Sequence, residues 1–263
     1  MLDLKEIKEI QLSVLQEVHN FCIENGIHYS LAHGTLLGAV RHKGYIPWDD
    51  DIDICFLEKD YEFFMKSFSH PYLKAQCIEN DSNWPYPYGK VYDTRTIVHE
   101  DANISYDLGI NIDVFPIYHY PENRFYAGIL RLRLFLLSWI HNVKVTRISR
   151  QRSILKNVAL AVLKGLCLPF TFSFVNSRLR KVCLHSDRTP SSRLFETRSA
   201  QTVVYDAESF DGFEMMEFEG NYFCVMKGWD EYLSGRHGDY MKLPSPDKQV
   251  PHHNIVANRK NED

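Results

Sequence analysis

The densest chemical signal in the chain is Trp48-Asp49-Asp50-Asp51-Ile52-Asp53, four carboxylates leading directly into the apolar run Ile54 to Leu57. Like charges this close repel one another if they are desolvated together. A solvated turn carries Asp49 and Asp50 at little cost. Asp51 and Asp53 differ because they alternate with Ile52 and Ile54 in the period of a strand. That period puts both carboxylates on one face, roughly 7 Å apart. Such a pair suits one or two divalent cations, with Mg²⁺ (or Mn²⁺) taking oxygen ligands shared with substrate phosphates. An acidic entry to a strand with no metal would show the same spacing.

Two further features bear on this chemistry. Gly34-Thr35-Leu36-Leu37-Gly38 follows a short strand candidate, Ile27 to Ala32, and opens a helix candidate, Leu36 to Arg41. A helix N-terminus behind a Gly-Thr turn is a ready phosphate cradle. The spacing is neither a Walker loop nor a dinucleotide GxGxxG, so ATPase and dehydrogenase chemistry lose support. Asp113 stands alone in the apolar strand Ile110 to Phe115. An isolated acid there is costly unless it is paired or binds a metal. If that strand neighbours Asp51 and Asp53, the three carboxylates form one cluster.

The elements that must position these residues follow from periodicity. Leu4, Ile7, Ile10, Val14, Val18 and Phe21 keep helical spacing, and Asn25-Gly26 is a stop. Strands are expected over Asp51–Leu57, Val91–Val98 and Gly109–Ile117, with a helix over Tyr61–Phe68. Phe213 to Val225 reads as a hairpin turning at Gly220-Asn221. A short helix follows at Trp229–Leu233, and the tail from Leu243 carries three prolines. The fold class is α+β, a small mixed sheet flanked by helices, with a helical insertion.

The insertion announces itself by charge. Residues 122–190 hold thirteen Lys/Arg against only Glu122 and Asp187, a net +11 that leaves −15 on the remainder of a 263-residue chain of net charge −4. The stretch is also apolar, through Leu134-Phe-Leu-Leu137, Trp139-Ile140 and Val158 to Leu168. Its uncharged runs are too short to span a bilayer, which needs about 20 residues. Basic and apolar together suit a helix lying on an anionic membrane face; a helical insertion packed on the core with a solvated basic side fits the same pattern. The overall negative charge argues against nucleic acid as a partner. Six scattered cysteines with no CxxC pair read as reduced core thiols in a cytoplasmic protein, and Met1-Leu-Asp-Leu-Lys shows no secretion signal.

The segment His33-Gly-Thr-Leu-Leu-Gly-Ala-Val-Arg-His-Lys-Gly-Tyr-Ile-Pro-Trp-Asp-Asp-Asp-Ile-Asp53 resembles the signature of the LicD family, bacterial phosphocholine transferases related to fukutin and fukutin-related protein. Looser matches follow at Lys59-Asp60-Tyr61, Asp113-Val-Phe-Pro116, Phe218-Glu-Gly220, Gly238 to Pro244, and His252-His253. They skip the basic module. The resemblance implies a nucleotidyltransferase-like core over 1–121, the insertion over 122–200, and a C-terminal part, 201–263, that completes the core. It also implies transfer of phosphocholine or a similar phospho-alcohol from a CDP-linked donor to a sugar or polyol hydroxyl of a surface glycan or its lipid-linked precursor. On this reading Asp51, Asp53 and Asp113 hold the metal, and Asp113 takes the hydroxyl proton. Gly34 and Thr35 seat phosphate, Arg41 and Lys90 neutralise the transferring group, and His252 and His253 belong to the substrate site. The variable residue before Gly34 is His33, to which the pattern attaches no role. A choline group would want an aromatic cage, for which Trp48, Trp84, Tyr86, Tyr88 and Tyr92 are candidates. Ethanolamine, glycerol and ribitol phosphate remain open as the alcohol. A nucleotide-sugar glycosyltransferase also uses Asp-x-Asp, but the ~50 residues before the pair are short for its βα units. A non-catalytic binding protein on the same fold would be expected to lose Asp51 or Asp53, and both are present.

Overall fold

A computed structural model describes residues 1–99, 104, 106–149, 152–197, 202–250 and 256–260. The first helix, α1 (Leu4–Asn25), begins at a reciprocal cap: Glu6 N–H donates to the Asp3 carboxylate and Asp3 N–H to Glu6. It ends at Gly26, whose left-handed φ of 64° closes the last turn. Its buried face is Ile7, Gln11, Val14, Leu15, Val18 and Cys22. Next come β1 (Ser30–Leu31), α2 (His33–His42), β2 (Asp53–Leu57), α3 (Glu58–Ser67), β3 (Leu73–Gln76), β4 (Gly89–Asp93), β5 (Thr96–His99) and β6 (Asn111–His119). Three helices follow, α4 (Arg124–Val145), α5 (Ile154–Leu166) and α6 (Phe172–Asp187). The chain closes with β7 (Arg193–Thr197), β8 (Thr202–Asp206), β9 (Phe213–Phe218), β10 (Asn221–Met226), α7 (Trp229–His237) and β11 (Val256–Arg259).

The main sheet runs β1-β2-β6-β4-β3, with β7 on β6 and β8 on β7. Among the described strands only β2 and β6 pair in parallel, and this pairing sets the site because it places Asp53 opposite Asp113. The class is α+β, as the residue pattern indicated. Several boundaries differ. Asp51 lies outside the strand, which starts at Asp53, because the Asp run is held as a loop by Gln11 Nε2 on Asp50 O at 3.0 Å. Asp51 and Asp53 are therefore not alternating strand neighbours. The single strand expected over Val91–Val98 breaks at Thr94-Arg95, where the Asp93 carboxylate accepts from Arg95 N–H at 2.9 Å. Past the break, β5 leaves the main sheet and pairs with β11 in the proline-containing tail. The β9–β10 hairpin turns on Glu219-Gly220, both at positive φ, one residue earlier than expected.

The insertion divides. Its α6 faces the core: Arg180 reaches Glu58 at 2.5 Å, contacts Glu79, and donates to the Tyr118 hydroxyl at 2.6 Å. Val175, Leu179 and Cys183 of α6 pack with Leu130 and Leu134 of α4 against Tyr118 and Phe195. The sheet resumes at β7, inside the range first assigned to the insertion. All six cysteines are buried free thiols, matching the expectation from their spacing.

One buried contact ties α4 to α6 and carries a pH signature. His141 Nδ1 lies 3.0 Å from Oδ1 of Asn176, whose Nδ2 donates to Trp84 O at 3.2 Å. The amide is thereby oriented with its oxygen toward the ring, so Nδ1 carries the proton of a neutral imidazole. Burial pushes the His141 pKa down to about 4. The unfolded chain binds this proton near the ordinary value of about 6.5, so the contribution is complete above that pH and is lost as pH falls toward 4. Urea unfolding at pH 7 and pH 4.5 should therefore show the wild type losing ~2 kcal/mol more than His141→Gln does. Equal losses in the two proteins would remove His141 from the acid sensitivity.

Candidate active site

The start of α2 and the start of β2 are stitched together at Asp53. Ala32 N–H donates to Asp53 O at 2.9 Å, and Asp53 N–H donates to Thr35 Oγ1 at 2.8 Å. On the other side, Asp113 N–H donates to Ile52 O at 2.8 Å. Asp53 and Asp113 are thus register partners on parallel strands, about 4.8 Å apart with side chains on one face. Lys90 of β4 lies opposite Asp113, with Nζ 2.5 Å from its carboxylate and 2.9 Å from Asn111 Oδ1. The Lys90 ammonium also sits over the Tyr86 ring at 4.7 Å.

On the Asp53 side the counter-charge is His33, the first residue of α2, held at φ 47°, a region that non-glycine residues rarely enter. Its Nδ1 is 3.3 Å from Asp53 Oδ2 and its Nε2 is 2.8 Å from both oxygens of Glu196 on β7. Arg236 of α7 pairs with the same Glu196. Burial works against charge on the ring, but the Glu196 and Asp53 carboxylates outweigh it and raise the His33 pKa. Burial likewise opposes ionisation of Glu196, yet His33 and Arg236 bring its carboxyl down to about 2. Both ring nitrogens face carboxylate oxygens, an arrangement that favours the imidazolium form.

Asp53 opens onto a cleft of about 770 Å³, together with Asp49 and Asp51. Ligand oxygens of Asp49, Asp50 and Asp51 all lie within 4.8 Å of one another. Around this acidic floor stand Arg41, Arg236, Lys242 and Lys248, with Trp48 and Tyr240 as its aromatic walls. Arg41 is fixed by Nη1 donating to Tyr240 O at 2.8 Å. His237, also on the wall, is pushed down to about 4 by burial and then by Arg236, and is neutral.

The sequence-derived site residues fall into three groups. Asp51, Asp53, Gly34 and Arg41 come together in the cleft. Asp113 and Lys90 are bound to each other one strand over, so the Lys90 charge is already engaged by a carboxylate. Gly34 and Thr35 do not form an open phosphate turn. Both lie in the first turn of α2, where the anion is the chain's own: a Cβ on Gly34 would stand 2.4 Å from Asp49 Oδ2. Thr35 uses its hydroxyl on the Asp53 backbone. His252 and His253 lie outside the described residues. Of the proposed aromatic cage, Trp84 is fully buried with its N–H on Tyr88 O at 2.6 Å, and Tyr86 and Tyr92 pack beside it, leaving Trp48 in the cleft.

The family model described as the LicD/FKTN/FKRP nucleotidyltransferase domain matches residues 26–133. The chain is 29% identical to the lipopolysaccharide cholinephosphotransferase LicD of Haemophilus influenzae over 96% of both chains. Residues 26–133 thus carry a LicD-type domain, and similarity to a LicD protein runs through nearly the whole chain. Shorter stretches resemble two uncharacterised rickettsial proteins, 41% identical over 64 residues in Rickettsia typhi (24% of this chain, 21% of that one) and 47% over 47 residues in Rickettsia prowazekii (18% of each). The matched LicD domain contains His33, the Asp run and Asp113, whereas Glu196, Arg236, Lys242 and Lys248 come from later in the chain. Residue spacing missed that second set. Glu196 carried a usable signal, an isolated acid in the apolar segment Leu194-Phe195-Glu196, the same signal that marked Asp113.

The Thr35–Asp53 bond is testable by itself. Thr35→Val keeps the shape but leaves a buried N–H without its acceptor, at about 1–3 kcal/mol. For a chain of this size the melting midpoint should fall by about 3–9 °C, and Thr35→Ser should restore most of it. A Val variant as stable as wild type would mean that α2 does not hold β2 through this hydroxyl.

Proposed function

We propose that this chain transfers phosphocholine from a CDP-linked donor to a hydroxyl of a lipopolysaccharide glycan or its lipid-linked precursor. The observation that carries the proposal is the composition of the cleft, an acidic floor of Asp49, Asp51 and Asp53 beneath a basic rim of Arg41, Arg236, Lys242 and Lys248. The cholinephosphotransferase activity named for the Haemophilus influenzae relative supports the choice of group. The donor set is all carboxylate oxygen, which fits Mg²⁺ or Mn²⁺ and disfavours softer metals. Three carboxylates with ligand oxygens within 4.8 Å of one another, two of them buried, are also the grouping that a divalent cation favours. Asp51 and Asp53 would hold the cation with Asp49. Bound there, it would offset negative charge on the diphosphate.

The chain's own groups do the rest. Arg41 and Arg236 face the phosphates from the rim and stabilise charge as the bond to the nucleotide breaks. The acceptor oxygen forms a bond to the choline-bearing phosphorus, the phosphorus–oxygen bond to cytidine monophosphate breaks, and the nucleotide leaves with the electron pair. We assign the hydroxyl proton to Asp113, fixed beside Asp53 by strand register, with Lys90 retaining Asn111 as a second acceptor. His33 and Glu196 position Asp53 rather than react. A trimethylammonium would find the faces of Trp48 and Tyr240 and the carboxylate of Asp239 on the same wall.

Purified protein incubated with Mg²⁺, a glycan acceptor and a panel of CDP-choline, CDP-ethanolamine, CDP-glycerol and CDP-ribitol should release cytidine monophosphate fastest from CDP-choline. Asp51→Asn and Asp53→Asn should each lower kcat about 100- to 1,000-fold, as expected for loss of charge stabilisation in the transition state. Chelator should abolish release and Mg²⁺ restore it. Turnover near wild type in either variant would sink the metal assignment.

Specificity gives a separate readout. Removing one aromatic face costs about 1 kcal/mol of cation binding, so Trp48→Ala should raise KM for CDP-choline about fivefold. KM for CDP-glycerol, which carries no cation, should stay unchanged. An equal rise for both donors would place Trp48 against the nucleotide instead.

A further inference from the structure

The helix α5 is hard to explain as part of a water-exposed globule. Of its thirteen residues only Leu160 is buried, packed with Val143 and Cys167. On the opposite side Leu155, Val158, Val162 and Leu166 form one stripe at helical spacing, 55–79% exposed. Its partner α4 repeats the arrangement: Phe125, Ile129, Leu132, Leu136 and Trp139, spaced 4-3-4-3, run down its exposed side. Lys164 Nζ donates to Lys144 O at 2.9 Å, tying the two helices together. Two adjacent helices each leave an apolar stripe uncovered, and exposed apolar surface of this kind marks an interaction surface.

Charge selects the occupant. Between Glu122 and Asp187 there are twelve Lys/Arg and not one Asp or Glu. Arg180 is consumed internally by Glu58 and Glu79, whereas Arg124, Arg131, Arg133 and Lys156 are exposed on α4 and α5. A second copy of the chain docking through this face would bring two unneutralised basic surfaces together. No described helix is long and apolar enough to cross a membrane. Aliphatic and aromatic stripes edged with unopposed cations match the interfacial zone of an anionic bilayer, which takes apolar side chains into its acyl boundary and cations among its headgroups.

We propose that α4 and α5 form a docking surface for anionic lipid bilayers, holding the enzyme peripherally through the Leu155–Leu166 stripe and the surrounding arginines and lysines. The surface stands apart from the cleft residues, so the inference does not depend on which phospho-alcohol is transferred.

The test is co-sedimentation of the full chain with vesicles of phosphatidylcholine alone and of phosphatidylcholine mixed with phosphatidylglycerol. Binding should be confined to the anionic vesicles and weaken as salt rises from 0.1 to 0.5 M. The variant Arg124→Gln/Arg133→Gln/Lys156→Gln should lose about 100-fold in partition coefficient, at about fivefold per cation. The variant Leu155→Ser/Val162→Ser/Leu166→Ser should also lose at least tenfold, because it removes the inserting groups. Those side chains are exposed, so its circular dichroism and melting midpoint should match wild type. Three results would overturn the proposal: no sedimentation with anionic vesicles, equal sedimentation with neutral ones, or vesicle binding unchanged in both variants. Light scattering adds a fourth, a wild-type dimer that the α5 variant converts to monomer without any vesicle binding.

Discussion

The structure is organised around an electrostatic problem, the gathering of carboxylates at the ends of two adjacent strands. Parallel pairing sets Asp53 beside Asp113, and the loop before β2 adds Asp49, Asp50 and Asp51. Asp50, Asp53, Asp113 and Glu196 are buried. Desolvated like charges at such separations would protonate or force the strands apart unless cations were brought to them. The chain brings three from distant positions: His33 between Asp53 and Glu196, Lys90 on Asp113, and Arg236 on Glu196. Each is anchored by a different element, so the charge balance also ties the fold together.

This explains why the site is not contained in the LicD-matched segment alone. Residues 26–133 supply the aspartates and two of the cations, but the Nε2 of His33 has Glu196 as its partner. Glu196 in turn depends on β7 pairing with β6, and on α7 delivering Arg236. The helical module therefore interrupts the main sheet in sequence but not in space. Its α6 returns the chain to the sheet, and Arg180 on Glu58 and Glu79 anchors that return.

Local patterns were legible where local physics decides. The stop of α1, the class of the fold, the Asp run and the solitary Asp113 could all be read from residue types and spacing. What could not be read were contacts made across long sequence separations. Spacing put Asp51 in the strand, because nothing local shows that Gln11, forty residues earlier, holds the loop open. Gly34 looked like a phosphate seat and is instead the gap into which Asp49 fits. The roles of His33 and Thr35 are set by partners on other elements, Glu196 and the Asp53 backbone, so their own neighbourhoods carry no mark of them. β5 and β11 pair across more than 150 residues, so spacing ran β5 on from β4 as one strand and marked no strand in the tail.

The basic module shows how one composition yields two outcomes. Arg180 on α6 is buried because two glutamates and a tyrosine hydroxyl wait for it in the core, so its desolvation is compensated. The cations exposed on α4 and α5 have no acidic residue within their own segment to answer them, and the apolar residues between them lack a protein surface to cover them. Summing the charge of the segment hides this division, because paired and exposed arginines count alike. What separates them is helical phase. On α6 Arg180 shares a buried face with Val175, Leu179 and Cys183, whereas on α5 the one inward residue, Leu160, leaves the aliphatic stripe turned outward. The −15 remainder and the +11 module thus differ in arrangement as well as in sign: the remainder gathers Asp49, Asp50, Asp51, Asp53 and Asp113 at the ends of two strands, whereas the module sets exposed cations beside exposed apolar side chains.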